Sequence, residues 1–517
     1  MHSWEYICEQ IHKKLDMADV RRLARDGFNE YGAYPDSIEV SEGACFFIAR
    51  ESSKKVLVVC GEHCLYDEFV GLEYIVGNAK TKVCEMSNSN CRVLRKIFPY
   101  TNPKSHKGID LTLGLGDRLG IASSGHLRLL KNKGIFPVIA QQSIRELNLT
   151  NRTYDDVLSA ASWAIFQEGY KDGFGADGDH LKTADEVKMA LDYGFTMITL
   201  DCSEHIDNSA ADLSGYELEK RYLQLPLADR QLLEAEYLNK GFKISHNNDS
   251  VDITFGIEGF HRIALIYLNA IRFTIKIYTE IIKSCGRNID FEMSIDETLT
   301  STSPESHYFV ASELVNNGVD ITSLAPRFCG EFQKGIDYRG DLNQFSREFA
   351  IHVKIAEHFG YKISVHSGSD KFSVFPIIGK LAAGRYHLKT AGTNWLEALR
   401  VIAVKNPKLF REIYGFAKGN VHLARKYYHI DARTEGMPDI DALKDSELET
   451  TLEMDDCRQI LHITYGLVLQ ATDEMGKLIF RNELYDTLMQ YEAEYYTALE
   501  RHIGRHLQKL GAGVRDL

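Results

Sequence analysis

The chain has 517 residues, of which 44% are hydrophobic, so it can bury a large core and form two or three domains. Its 60 basic and 73 acidic residues give a net charge of -13, which disfavours nucleic acid and anionic membrane as partners. No window offers about twenty uncharged apolar residues, and the charged opening segment lacks a signal-peptide core. The sequence therefore predicts a soluble cytoplasmic protein.

Residues 1–105 combine an amphipathic opening helix with two β-like runs, CFFIAR and KVLVVCG. This pattern predicts a separate α/β cap region whose role the sequence does not reveal. The ten cysteines are scattered, which fits a reducing compartment. Cys60 and Cys64, in CGEHC, form the only close pair, and no second matching pair follows. We therefore interpret both as buried thiols and not as zinc ligands.

Eight short apolar runs between residues 111 and 393 each end in polar or ionisable residues. In chain order these endings are Asp117-Arg118, Gln141-Gln142, Asp177 to His180, Asp201 to His205, Glu292 to Glu297, Pro326-Arg327, His366 to Lys371 and His387 to Thr390. A strand buried on both faces reads as a continuous apolar run, so eight such strands separated by helices predict an α/β fold with a (β/α)8 TIM-type barrel over 106–394. Chemistry in this fold lies at the carboxyl ends of the strands.

Two further segments show helical periodicity. After the fourth strand, an insertion over about 209–288 contains YELEKRYLQLPLADRQLLEAEYL and HRIALIYLNAIRFTIKIYTEIIK, whose apolar residues recur at helical spacing. Residues 395–517 predict an α-helical C-terminal region on the same grounds.

The acidic strand ends indicate a metal site. Crowded carboxylates repel one another unless a cation neutralises them, and histidines stand beside them on the third and seventh strands. We predict that His180, Glu292 and His366 bind zinc, manganese or nickel, with Asp179, His205 or Asp296 as alternative ligands. Helix capping is the competing interpretation for the carboxylates after the third and fourth strands.

The same strand ends carry cations, which favour an anionic substrate, although salt bridges to the acidic groups account for some of them. They are Arg118, Arg145, Lys182, Arg327, Lys334, Lys371 and Lys389. The segment LTLGLGDRLG spaces its glycines as GxGxxxG, unlike a dinucleotide-binding fingerprint, so we expect no NAD.

Several long motifs resemble one family. LGLGDRLGIASSGHLR, FQEGYKDGFGADGDHLKTADEV, FTMITLDCSEHIDN, FEMSIDET, LAPRFCGEFQKGIDY and SVHSGSDKFSVFPIIGK are closely similar, in the same order, to those of the tagaturonate epimerases of hexuronate catabolism. The resemblance covers about residues 110–430. It implies a metal-dependent barrel that interconverts tagaturonate and fructuronate, two keto-uronates that differ at one hydroxyl-bearing carbon.

That carbon is β to the ketone, so its C–H bond is not acidified, and a retro-aldol cleavage followed by re-addition is the favoured route. In this hypothesis Asp179 and Asp201 move the hydroxyl protons. Substrate binding is assigned to Arg118, Arg327, Lys371 and Lys389 at the carboxylate and to Gln141 and Gln142 at the hydroxyls. Alternatives are a Schiff base on Lys389, a sugar-acid aldolase, a keto-uronate isomerase and a non-catalytic hexuronate sensor. The sequence allows a homo-oligomer but does not determine the oligomeric state.

Overall fold

The computed structural model describes residues 4–13, 16–51, 54–246 and 249–512. Its contacts define two compact units, each discontinuous in the chain. The first comprises Met1–Lys104, Leu115–Phe174 and Gly392–Gly504, and the second comprises Ser105–Gly114, Gly175–Ala391 and Arg505–Leu517. The three regions that we delimited in the sequence (1–105, 106–394 and 395–517) divide the chain by position and stay a prediction.

A five-stranded antiparallel sheet follows the first helices of the chain. Its strands are β1 (Glu39–Ser41), β2 (Ala44–Glu51), β3 (Lys54–Cys60), β4 (Gly71–Val76) and β5 (Ala79–Glu85), in the spatial order β1-β2-β3-β5-β4. Helices α1 (Glu5–His12), α2 (Met17–Asp26), α3 (Phe28–Tyr31) and α4 (Asn88–Ile97) flank it. Alternate residues of β2 enter two different apolar clusters, Phe47 in one and Phe46 in the other, so the sheet is buried on both faces.

The CGEHC cysteines do not share one environment. Cys60 is buried, as predicted, because it ends the central strand β3. The prediction for Cys64 is wrong, since this thiol is exposed. It lies four residues beyond the end of β3, in the turn that leaves the sheet.

All eight predicted barrel strands are present, and they close into a parallel barrel. They are β6 (Leu111–Leu115), β7 (Phe136–Gln142), β8 (Gly175–Leu181), β9 (Met197–Asp201), β12 (Asp290–Ile295), β13 (Ser323–Pro326), β14 (Lys362–Val365) and β15 (Tyr386–Thr390). The strand order follows the chain, with β9 next to β12, so the insertion between them leaves the barrel intact. The TIM-type fold class is therefore confirmed.

Helices alternate with these strands. They are α5 (Ser123–Leu130), α6 (Ile144–Thr150), α7 (Tyr154–Gln167), α8 (Ala184–Asp192), α12 (Pro304–Asn316), α13 (Leu342–His358) and α14 (Phe375–Leu381). The helix after the third strand is capped by Thr183, whose hydroxyl accepts from the backbone N–H of Glu186. Helix capping therefore does not explain the ionisable residues Asp177, Asp179 and His180 that precede it.

The insertion after β9 is helical, as predicted, with one added element. It contains α9 (Gly215–Tyr222), α10 (Leu227–Tyr237) and α11 (Ile257–Ile277), and between the last two helices an antiparallel hairpin of β10 (Gly241–His246) and β11 (Asp249–Thr254). The hairpin follows from period-two alternation, since Ile244 and Ile253 are buried while Lys243, Asp252 and Thr254 beside them are exposed. The turn residues Asn247 and Asn248 lie outside the described part of the chain.

The C-terminal region is α-helical, as predicted. It contains α15 (Thr393–Lys405), α16 (Pro407–Ala424), α17 (Asp455–Ile463), α18 (Tyr465–Gln470), α19 (Arg481–Gln490) and α20 (Glu492–Leu510). Their apolar faces share one cluster that includes Trp395, Phe410 and Leu499. None of the helices within the described residues combines the length and apolar character that crossing a bilayer requires.

Candidate active site

Polar side chains at alternate positions of the barrel strands of the second unit meet in one buried cluster. On β12 they are Glu292 and Ser294, and Asp296 continues the series one step past the strand. Because successive side chains of a strand point to opposite faces, this period-two pattern directs all three toward the same side. Their partners lie on or directly after β8, β9, β13, β14 and β15.

A bulge at the end of β8 brings His180 into this cluster. The pairing of β8 with β9 shifts in register between Gly178 and Leu181, and His180 has φ of 54°. Simple alternation would place Asp179 and His180 on opposite faces, whereas here His180 Nδ1 lies 2.8 Å from Asp179 Oδ1. A left-handed conformation costs a non-glycine residue free energy and is concentrated at functional sites.

Two imidazoles converge on one carboxylate. His180 Nε2 lies 3.5 Å and His366 Nδ1 lies 3.2 Å from Asp296 Oδ1, and the ring centroids are 4.9 Å apart. Ligand atoms of the three residues lie within 4.8 Å of one another. Among the described residues His366 Nδ1 makes no hydrogen bond although it is buried. Two nitrogens and a carboxylate oxygen facing a common point are a donor set that a divalent metal accepts.

The second nitrogen of each imidazole is held by another carboxylate. His180 Nδ1 pairs with Asp179, and His366 Nε2 lies 2.7 Å from Glu292 Oε1. Metal-binding histidines commonly donate their outer N–H to a carboxylate, which fixes the tautomer and the ring orientation. This arrangement leaves His180 Nε2 and His366 Nδ1 as the nitrogens directed at Asp296.

Lys389 links the carboxylates. Its ammonium lies 2.8 Å from Asp177 Oδ2, 2.8 Å from Asp179 Oδ1 and 3.0 Å from Glu292 Oε1. Burial would lower the pKa of Lys389, but the three carboxylates, led by Asp177, raise it well above its usual value. The side chain is therefore a permanent cation at the centre of the cluster.

The cluster has more negative than positive groups. Asp177, Asp179, Glu292 and Asp296 are four carboxylates, and among the described contacts with them Lys389 is the only lysine ammonium. Burial raises the pKa of Asp177 to about 6, with Asp179 and Glu292 adding to the effect. Although burial opposes it, neighbouring carboxylates also raise the pKa of His180 and of His366. The cavity thus favours added positive charge, which a proton or a metal ion supplies.

Asp201, at the end of β9, keeps one carboxylate oxygen available. Its Oδ1 accepts from the backbone N–H of Ser203 at 2.8 Å, a local cap of the kind expected for some of these residues. Its Oδ2 is buried, makes no hydrogen bond among the described residues and lies 3.7 Å from Lys182 Nζ. His205, an alternative ligand in the sequence, instead stacks on Phe273 with centroids 3.9 Å apart.

The predicted cationic residues of the second unit have different environments. Lys371 is buried and donates to the backbone carbonyls of Gln333, Ile336 and Ser369, which favours a role as a loop anchor. The side chain of Arg327, 29% exposed, has a distant ion pair of 3.8 Å with Glu331. Of the two, Arg327 is the better placed to receive a ligand carboxylate.

Three predicted binding residues belong to the first unit. Gln141 and Gln142 end β7, and side-chain atoms of both are buried without a hydrogen bond in the described structure. Arg118 donates twice to Glu146 Oε1, at 2.8 and 2.9 Å, and its guanidinium lies 3.9 Å from the centroid of the Tyr465 ring. Their contact with substrate stays a prediction.

The residues that support the cluster were missed as site residues in the sequence. Thr199 donates to Asp177 and also contacts Lys389, and Ser323 donates to Glu292 Oε2. Asp177 was recognised only as part of an acidic strand end. Polar residues at alternate positions of a strand, such as Thr199 and Asp201, would have indicated these supporting residues. Alternate side chains of a barrel strand point to the interior, so a polar interior requires polar residues at every second position.

Comparisons with known proteins show the family of this chain. A family model described as UxaE, tagaturonate epimerase, matches residues 34–510. The tagaturonate/fructuronate epimerase of Thermotoga maritima is 41% identical over 497 residues, which are 95% of this chain and 99% of the relative.

Crystal structures of the fructuronate-tagaturonate epimerase UxaE from Cohnella laeviribosi are similar along nearly the whole chain. A complex with one glycerol is 48% identical with a TM-score of 0.91 and covers 96% of this chain and 100% of its own. The native form is 49% identical with a TM-score of 0.90 and covers 93% and 96%. The chain belongs to the tagaturonate epimerase family.

Proposed function

We propose that this chain interconverts tagaturonate and fructuronate, the activity in the names of its relatives, with a divalent metal bound at the convergence of His180, Asp296 and His366. The observation that carries the proposal is that two imidazole nitrogens face one carboxylate oxygen inside a cluster with excess negative charge. Membership of the epimerase family supplies the substrate class.

Asp296 fits the third ligand position better than Glu292, which the sequence favoured. The Glu292 carboxylate is already engaged by Lys389, by His366 Nε2 and by Ser323. Asp296, by contrast, is the group that both candidate nitrogens face. Glu292 then acts on the metal through the orientation of His366, as Asp179 does through His180.

The chemistry explains the use of a metal. The inverted carbon lies β to the ketone, so loss of its C–H proton is not assisted by the carbonyl, and breaking the adjacent C–C bond by a retro-aldol step is the more accessible route. A bound divalent ion supplies Lewis-acid stabilisation of the negative charge that develops on the ketone side of that bond. Rotation of the aldehyde fragment and re-formation of the bond on its other face then invert the carbon.

Asp201 is proposed to move the hydroxyl proton of the inverted carbon. Its buried Oδ2 makes no hydrogen bond among the described residues, so a substrate hydroxyl can donate to it without displacing a protein partner. Lys182 Nζ lies 3.7 Å from the same oxygen. Asp179, the second predicted acid–base group, is bound to His180 and Lys389, which favours an orienting role.

A Schiff base on Lys389 has less support. Formation of a Schiff base requires a neutral amine, whereas Asp177, Asp179 and Glu292 hold this side chain as an ammonium with a raised pKa. The same contacts occupy the donors that a substrate carboxylate would need. We therefore assign Lys389 to the organisation of the cluster and Arg327 to the substrate carboxylate.

The test is an NMR assay with tagaturonate. Protein supplied with zinc, manganese or nickel is expected to produce fructuronate, to lose that activity after exhaustive chelation, and to regain it on addition of metal. Conversion that persists in metal-free protein would contradict the metal assignment. Absence of conversion with every metal would contradict the epimerase assignment, and stoichiometric release of free aldehyde would favour an aldolase.

A further inference from the structure

Cys60, the buried cysteine of CGEHC, lies within a group of polar partners that the epimerase chemistry does not use. Its Sγ is 3.1 Å from His12 Nε2, and the hydroxyl of Thr81 donates to it at 3.3 Å. Thr81 is the residue paired with Cys60 across β3 and β5. All these residues belong to the first unit.

Helix α1 supplies a second thiol. Cys8 and His12 are four residues apart, so they lie on the same face of the helix. Cys8 is fully buried and belongs to the same buried cluster as Cys60. One turn of α1 therefore places a thiol and an imidazole against the last residue of β3.

This environment favours the thiolate at Cys60 and the thiol at its neighbours. The hydrogen bond from Cys8, followed by those from Thr81 and His12, lowers the pKa of Cys60 to about 6 against the opposing effect of burial. The pKa of Cys8 is raised well above its usual value, since it donates to Cys60. At the exposed Cys64, Glu42 raises the pKa. The buried cysteine of the motif is thus the better nucleophile.

We propose that Cys60 is an oxidation site for hydroperoxides, with Cys8 as the resolving thiol. The Cys60 thiolate attacks one peroxide oxygen, the O–O bond breaks, and the leaving hydroxide takes a proton to become water. Cys60 is then a sulfenic acid. The Cys8 sulfur attacks the Cys60 sulfur, the S–O bond breaks, and the departing hydroxide takes the Cys8 proton. Two thiols lose two electrons to form one disulfide, and hydrogen peroxide is reduced to two waters.

The position of His12 suits this chemistry. The imidazole is exposed to solvent while its Nε2 contacts Cys60, so protons can pass between the thiol group and bulk water. The disulfide would fasten α1 to β3, the central strand of the five-stranded sheet. Nothing in the reaction depends on the barrel cluster.

The first test is the pH profile of alkylation in the intact protein, read at each cysteine by peptide mass spectrometry with iodoacetamide. We expect labelling of Cys60 to level off above about pH 7, whereas labelling of Cys64 keeps rising to about pH 9 or beyond. Thr81→Val, which removes one donor at nearly constant volume, should move the Cys60 profile to higher pH. A Cys60 profile that follows that of Cys64 would overturn the proposal.

The second test uses hydrogen peroxide followed by peptide mapping. The expected product is a Cys8–Cys60 disulfide, and in Cys8→Ser a sulfenic acid at Cys60 that dimedone traps. Cys91→Ser, which removes a buried thiol elsewhere in the first unit, is the matched control and should leave the disulfide unchanged. A Cys45–Cys60 linkage, or equal oxidation of Cys60 and Cys91, would contradict the assignment.

Discussion

Two buried polar clusters lie at opposite ends of the same barrel strands in the second unit. The amino-end cluster consists of Asp290, Lys362, His106, Thr112 and His387, and the carboxyl-end cluster consists of Asp177, Asp179, His180, Glu292, Asp296, His366 and Lys389. Strand β12 contributes Asp290 to the first cluster and Glu292 to the second. The two clusters differ in the balance of their charged groups.

The amino-end cluster is internally balanced. Lys362 Nζ donates to the carbonyl of Ile109 at 2.8 Å, to Thr112 at 3.0 Å and to His106 Nδ1 at 3.2 Å. Asp290 accepts from the backbone N–H of His106 and from Ser105. One buried cation is thus matched by one buried carboxylate, and the cation uses all three of its donors.

The carboxyl-end cluster is not balanced. It holds four carboxylates and one lysine ammonium, which contacts three of them, while the fourth carboxylate, Asp296, faces His180 and His366. Buried charges of opposite sign that match one another stabilise a fold, whereas an excess of one sign is available to a ligand of the other sign. We therefore propose that, within one barrel, buried charge supports stability at one end and function at the other.

Among these variants, Asp296→Asn, in the carboxyl-end cluster, should have the largest effect on activity. Removal of the carboxylate that both imidazoles face is expected to abolish metal retention and to lower kcat/KM by about three orders of magnitude. The thermal midpoint of the metal-free protein should fall, because His180 and His366 lose the carboxylate that both of them face. Metal content by mass spectrometry and turnover by NMR check this. A variant that keeps its metal and its activity would exclude Asp296 as a ligand.

Glu292→Gln tests whether Glu292 binds the metal or only orients His366. If Glu292 orients His366 without contacting the metal, affinity for the metal should fall about 10- to 100-fold and activity should return at saturating metal. Competition with a chelator of known affinity measures the first effect. Ser364→Ala, a change on strand β14 at a buried hydroxyl without a hydrogen bond among the described residues, is the control. Loss of activity that no metal concentration restores would make Glu292 a ligand, as the sequence suggested.

Lys362→Met breaks the amino-end cluster. It leaves Ile109, Thr112 and His106 without their donor, and we expect a loss of about 3 kcal/mol in the free energy of unfolding. Turnover per folded molecule should be unchanged. Lys107→Met, which removes an exposed pair with Asp320, should change stability by no more than about 0.5 kcal/mol. A stable but inactive Lys362→Met would contradict the division of roles between the two ends.

The smallest effect concerns the pH dependence of stability. Burial raises the pKa of Asp290 to about 6, above its usual 3.8. Between these values the native state binds this proton more tightly than the unfolded chain does. The contribution of Asp290 to the free energy of unfolding is therefore fully present below pH 3.8 and is lost as the pH rises through about 6. Asp290→Asn should flatten that part of the curve in urea unfolding between about pH 4 and pH 7. Parallel curves for the variant and the original chain would refute this.

The sequence was sufficient for the barrel, because strands buried on both faces leave strong local patterns, and the metal site that the acidic strand ends predicted stays a prediction. The sequence could not select among ligands within a strand end. His180 faces Asp296 only because a bulge and a positive φ turn it, and neither is encoded by residue type at that position. Glu292, on β12, and Asp296, directly after it, are an even number of residues apart, so alternation directs both to the same side of the strand. Only their contacts distinguish them: Glu292 pairs with Lys389, and Asp296 faces His366 Nδ1.

The most direct test of the central claim is anomalous diffraction from crystals of the protein loaded with the metal that supports turnover, recorded on both sides of the absorption edge of that metal. The account predicts one strong peak about 2.0 to 2.3 Å from His180 Nε2, His366 Nδ1 and an oxygen of Asp296. A peak bonded to Glu292 in place of Asp296, or the absence of a peak between the two imidazoles, would contradict it.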